Sequence, residues 1–157
     1  MKSWQVAMKD AAISGGFAAM AVNATTAVLG RAETGHALAP INAVSHVLWG
    51  DRAAEMDQAS MKYTFNGLAI NSGAAVFWAT IYEKFFGEAA DRRDLPLALL
   101  GGGLVGGMAY VVDYHLVPER LTPGYDKRLS GKSMAVLYGA LALGLTIGAL
   151  LRKQRAG

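Results

Sequence analysis

The sequence predicts an all-α fold, a compact bundle of four transmembrane helices with a short interfacial helix in its first long loop. Three observations predict it. Four stretches, 11–29, 63–82, 95–112 and 133–151, carry no Asp, Glu, Lys or Arg over 18 to 20 residues each. A helix of about 20 residues crosses a hydrocarbon core of ~30 Å. The runs also lack a charged face, which the helices of a small soluble bundle need because most of them touch water. Finally, 17% of the 157 residues are charged and 53% are hydrophobic, against about 25% charged in an average soluble domain.

The first span is expected over 10–29. Asp10 stands in its first turn, where a carboxylate suits the helix dipole, and Gly30 is placed to stop it. A cleaved signal peptide would also begin with basic residues before an apolar run. The small-residue site Ala37-Leu38-Ala39 lies too far along for that, and the run exceeds a usual h-region. The second span, over 63–86, runs on through Glu83 and Lys84 until Gly87. Trp78, Tyr82, Phe85 and Phe86 read as an interfacial belt from which Glu83 and Lys84 snorkel. The third, over 95–117, opens on Leu95-Pro96 with Asp94 as N-cap and ends before Pro118. The fourth, over 131–151, begins near Ser130 and ends in Arg152, Lys153 and Arg155. The whole chain, 1–157, reads as one membrane domain.

An even number of spans leaves both termini on one side with the loop 87–94. That side carries 8 Lys and Arg and the other 7, a near tie under the positive-inside rule. The terminal cluster at 152–155 tips both termini to the cytoplasm. The two long loops, 30–62 and 113–132, share the opposite face. The first holds 39–50, too short to span. There Pro40 suits a first turn, Ile41, Val44, Val47 and Leu48 recur at helical spacing, and Trp49 favours an interface. The second loop is a rigid connector with a Pro123-Gly124 turn signal. A Gly-rich first span and a long same-side loop in each half suggest two hairpins of similar plan.

The absence of cysteine excludes disulfides, thiol chemistry, Fe–S clusters and thioether haem attachment. The basic pI of about 9.3 fits juxtamembrane residues facing anionic lipid, and no basic run interleaved with aromatics points to nucleic acid. Gly102 with Gly106, Gly103 with Gly107, and Gly144 with Gly148 form small-residue pairs that let helix backbones approach in lipid. They predict tight packing within the bundle, with a homo-oligomer face as the alternative, and make the third span the expected most buried helix. Gly101-x-Gly103-x-x-Gly106 matches a dinucleotide fingerprint in letters only, because no strand precedes it.

Polar residues inside spans mark candidate sites, since a membrane-edge carboxylate is expensive to bury. Alternating spans bring Thr26, Asn66 and Asp113 to similar depth beneath the loop helix that carries His46. Tyr114 and Arg120 are the further polar groups within reach, so Asp113, Asn66, Thr26, Tyr114, His46 and Arg120 form the candidate ligand or ion site. The bland reading of Asp113 is a hydrogen-bonded or salt-bridged cap. His36, His46 and His115 carry no recognised metal spacing, and haem b in a bundle uses two His on facing spans. Neither a cofactor nor a metal is expected, and no catalytic constellation is present.

The stretches APINAVSHVLWGD at 39–51, FWATIYE at 77–83 and VDYHLVPERLTPG at 112–124 resemble those of small four-span bacterial inner-membrane proteins of no established activity. The resemblance covers about a fifth of the chain. It implies a multi-pass inner-membrane location and transfers no functional residue. The expected function is non-enzymatic binding of a lipid headgroup or a partner membrane protein at the face of the two long loops. The alternative is a small oligomeric transporter or channel subunit using Asp113 as a proton or cation site. A haem- or metal-binding redox protein comes third.

Overall fold

A computed structural model describes residues 1–152; Lys153 and Arg155 of the terminal basic cluster lie outside them. All regular structure among the described residues is helical. The elements are α1 (Trp4–Thr34), α2 (Ala39–Val44), α3 (His46–Trp49), α4 (Asn66–Phe85), α5 (Gly87–Asp91), α6 (Leu95–Val111) and α7 (Gly131–Leu151). Single π turns precede α4 (Met61–Phe65) and follow α6 (Val112–Leu116). Among the described residues, three helices are long and apolar enough to cross a membrane: α1, α6 with its π turn, and α7. The 20-residue α4 is not among them, because Asn66, Asn71, Ser72, Thr80, Glu83 and Lys84 dilute its apolar content.

Local chemistry sets the ends. Ser3 caps α1 by accepting from the Val6 N–H, so the helix begins a turn and a half before Asp10. It passes through Gly30 and stops at Gly35, whose left-handed φ of 78° is free of Cβ strain. Gly30 instead serves a close approach: a Cβ there would sit 2.6 Å from the Pro40 ring. Asp94 caps α6 at the Leu97 N–H, and Ser130 caps α7 at the Ser133 N–H. Glu33, at the far end of α1, accepts from the Ser130 N–H at 2.7 Å and from the Ser130 and Ser133 hydroxyls, a second anionic cap on α7.

The expected loop helix over 39–50 is two short helices broken at Ser45, whose N–H and hydroxyl both return to the Asn42 carbonyl. α2 is buried along its whole length, and only Leu48 and Trp49 at the end of α3 are well exposed. Asn42, fully buried, organises the rest of the first loop. Its amide donates to the carbonyls of Met56 (2.8 Å) and Gln58 (3.0 Å), and it accepts from the Thr64 hydroxyl (2.6 Å).

The long helices alternate in direction, and α1 lies between α4 and α7 while α6 packs on the far side of α7. Small residues make each contact close. A Cβ on Gly15 would meet Val76 Cα of α4 at 2.7 Å. Gly144 and Gly148 of α7 lie against Ala18 Cα (2.6 Å) and Ser14 Cα (2.7 Å) of α1. Gly102 and Gly106 of α6 face Thr146, Ala142 and Tyr138 of α7. Gly103 and Gly107 look into open space, which corrects the expectation that they pack inside the bundle. Successive residues of a helix point about 100° apart, so Gly102 and Gly103 do not face the same neighbour. The third span is accordingly not the most buried helix. Half of the apolar window of α7 is covered within the protein, against 33% for α6.

Candidate functional site

The two long loops come together at the end of the molecule remote from Lys2 and Arg152 and roof a cavity of about 100 Å³. Its walls are α4 (Ile70, Asn71, Ala74, Ala75, Trp78) and α7 (Leu137, Tyr138, Leu141), with Val22 of α1 behind. Val44, Val47 and the segment 121–125 close the top, and Asp113 enters from the end of α6. The space exists because α4 and α6 meet at their other ends, where the Tyr82 hydroxyl donates to the Ala98 carbonyl at 3.2 Å and Phe86 lies on Gly101.

Two hydrogen-bonded groups furnish the cavity. The Tyr138 hydroxyl donates to Asp113 Oδ2 at 2.7 Å, inside an aromatic cluster with Tyr110 and Tyr114. The Tyr125 hydroxyl donates to Asn71 Oδ1 at 2.6 Å, and the Asn71 amide donates to Asn23 Oδ1 at 2.7 Å. Tyr125 is buried at 3% exposure, and that burial raises its phenol pKa, with Thr26 as a polar neighbour working the other way. Gly124, at φ 76°, turns the chain into this position, and a Cβ there would strike the His46 ring at 2.6 Å.

The candidate residues divide. Asp113 lines the cavity, and Thr26 lies behind Tyr125, its hydroxyl donating to the Val22 carbonyl at 2.7 Å. Tyr114 is packed beside Tyr138, its hydroxyl buried without a hydrogen-bond partner among the described residues. Asn66 does not join them; its amide turns back to the Lys62 carbonyl in the π turn, at 2.8 Å. The amide that serves the cavity is Asn71, five residues on. His46 is buried in the roof with both ring nitrogens against carbonyls, Ala43 O at 3.0 Å and Glu119 O at 3.4 Å. Arg120 donates from Nε to the Val47 carbonyl at 3.0 Å and so staples the two loops. His46 and Arg120 also line a second cavity of about 210 Å³ on the outer side of the loops, with Asp51, Glu119 and Lys127. There the Lys127 ammonium, 3.0 Å from Asp51, holds that carboxyl below its ordinary range.

The opposite end holds a cluster that the sequence did not reveal. Lys2 Nζ reaches Glu83 (2.6 Å), Asp10 (2.9 Å) and Asp91 (3.0 Å), and Arg152 reaches Asp91 (2.6 Å), Asp10 (3.1 Å) and Glu83 (3.2 Å). Glu83 is fully buried, which corrects the snorkelling expected of it. Lys84 does lie at the surface side, donating to the Lys2 carbonyl at 2.6 Å with its ammonium over Trp4. The cluster draws on both chain ends, α1, α4 and α5, and only a reading that placed those ends together would have found it.

These features define a class, an all-helical protein with three helices fit to cross a membrane, a loop-roofed cavity at one end and a buried ionic cluster at the other. No protein-family model matches the chain, and neither a curated protein nor a solved structure is detectably similar to it.

Proposed function

We propose that this is a multi-pass protein of the bacterial inner membrane, crossing it four times with both termini in the cytoplasm, and that it is a binding protein and not an enzyme. α4 serves as the remaining span. At about 1.5 Å per residue its 20 residues match the hydrocarbon thickness. Its Asn71 side chain is satisfied internally by Asn23 and Tyr125, so it does not burden a lipid-facing surface. Exposed Leu48 and Trp49, with Lys62 over the Trp49 ring at 4.6 Å, suit an interfacial role for α3.

The ligand is a lipid headgroup or a similarly small polar group, taken into the cavity beneath the loops. The observation that carries this reading is a largely apolar cavity with a few convergent polar groups, the usual make-up of a ligand site. The test is mass spectrometry of the protein in mild detergent, comparing it with Ala74→Phe, which fills the cavity from an exposed wall position. A retained small lipid or amphiphile that Ala74→Phe loses supports the reading. Equal retention by both proteins, or none by either, overturns it.

A further inference from the structure

The cavity binds one particular chemistry, and this step rests on the binding function proposed above. We infer that the group it takes is a small primary ammonium, with the Asp113 carboxylate as its counter-ion. Among the described residues, Asp113 is the one charged side chain in the cavity wall. Three basic residues of the second loop are engaged elsewhere: Arg120 with the Val47 carbonyl, Lys127 with Asp51, and Arg128 with Asp57 and the Ala54 carbonyl. The hydrogen bond to Asp113 comes from Tyr138, on Oδ2. A carboxylate in such surroundings is expensive unless a positive charge joins it.

The remaining wall chemistry selects among positive charges. The Tyr138 proton goes to Asp113, the Tyr125 proton to Asn71 and the Thr122 proton to the Glu119 carbonyl. One Asn71 amide hydrogen is taken by Asn23. The wall therefore offers three acceptors, Asp113 Oδ1 and two phenolic oxygens, against two side-chain donors, the second Asn71 amide hydrogen and the Trp78 indole N–H. A primary ammonium is its complement, with three donors and no acceptor, and a quaternary ammonium has no N–H to give. Trp78, Tyr125 and Tyr138 make the wall aromatic, which favours a cation. Size limits the ligand further. A cavity of about 150 Å³ houses a benzene, and this one, at about 100 Å³, holds a headgroup such as ethylammonium while the body of the molecule stays outside.

The ammonium can belong to an aminophospholipid or to a free alkylamine, and one experiment separates these sources. A Trp4→Phe/Trp49→Phe protein keeps Trp78 as its only tryptophan. In nanodiscs of phosphatidylcholine its fluorescence is titrated with butylammonium, with tetramethylammonium and with neutral 1-butanol. It is compared with the same protein in nanodiscs containing phosphatidylethanolamine. The expected result is saturable binding of butylammonium at least tenfold tighter than of tetramethylammonium, with Asp113→Asn losing at least tenfold for butylammonium and nothing for butanol. Occupancy by phosphatidylethanolamine, seen as loss of the butylammonium response, assigns a lipid source. A full response in its presence assigns a free amine. Equal binding of butylammonium and butanol by the unmutated protein, or of butylammonium by Asp113→Asn, overturns the ammonium assignment and leaves the cavity as a neutral site. Absence of binding by every probe in either membrane overturns the binding function itself. Should Asp113→Asn fail to fold, the butylammonium-to-butanol ratio of the unmutated protein decides alone.

Discussion

Lys2 and Glu83 stand 81 positions apart in the chain, and their side chains meet at 2.6 Å with exposures of 5% and 0%. Around that pair the first residues of the chain, the end of α4 and Arg152 at the end of α7 are tied into one buried cluster with Asp10 and Asp91. A buried ion pair adds little over a well-packed apolar pair, but removing one partner strands the other charge.

Glu83→Ala should therefore lower unfolding stability by about 3–5 kcal/mol, the range for a broken buried pair. Glu88→Ala, which removes an exposed partner of the N-terminal amine, should leave stability nearly unchanged. Thermal unfolding of both variants in the same detergent checks the contrast. Equal losses would mean that the buried cluster contributes no more than a surface pair.

The cluster also sets an alkaline limit. Burial works against the Lys2 ammonium, but Glu83, Asp10 and Asp91 prevail and hold its pKa above the ordinary 10.5. A raised folded value means that the contribution is complete below 10.5 and is lost as pH climbs through the folded value. Midpoints of thermal unfolding should accordingly stay level up to about that ordinary value and fall beyond it. Lys2→Arg, which does not deprotonate, should flatten the fall, and an unchanged profile would place the alkaline limit elsewhere.

The paired glycines of α6 should behave as two classes. Gly102→Ala puts a methyl 2.3 Å from the Thr146 hydroxyl and 2.7 Å from the Ala142 carbonyl, while Gly103→Ala meets nothing within 4 Å. The first should cost about 1–3 kcal/mol, as overpacking does. The second should leave stability unchanged or raise it by up to about 1 kcal/mol, the gain in helix propensity from Gly to Ala. Gly144→Ala, whose methyl would meet Ala18 backbone at 2.6 Å, belongs with the first class. Melting curves of the three variants test the assignment.

Asn42→Ala should loosen the first loop without unfolding the long helices. It strands the carbonyls of Met56 and Gln58 and the Thr64 hydroxyl. Unsatisfied buried groups cost about 1–3 kcal/mol each. The expected outcome is protease cleavage within 50–60 at unchanged helical circular dichroism.

The cysteine-free chain lets single thiols report on topology. If α4 crosses the bilayer, Asp57→Cys and Arg92→Cys should react with an impermeant maleimide from opposite sides of a sealed vesicle. Ala69→Cys and Phe77→Cys should react from neither. Labelling of 57 and 92 from the same side would remove α4 as a span.

The sequence by itself determined the helical class, the apolar runs and several helix starts. Those depend on neighbours in the chain: an uncharged run, Asp94 before Leu95-Pro96, Ser130 before Gly131. It also pointed to Asp113, because an acidic residue at the edge of an apolar run stands out in one dimension. Tertiary structure alone decided which partners the polar groups found. Asn66 and Asn71 are equally polar, but helix phase turns the first back onto Lys62 and the second to Asn23 and Tyr125. Gly102 and Gly103 are adjacent, and only the placement of α7 separates the packed one from the open one. Glu83 read as a surface charge because its partners, Lys2 and Arg152, are supplied by the two ends of the chain. Local pattern fixes what a segment can bury, whereas pairing across the fold depends on the direction and rotation of helices, which no spacing within a single run records.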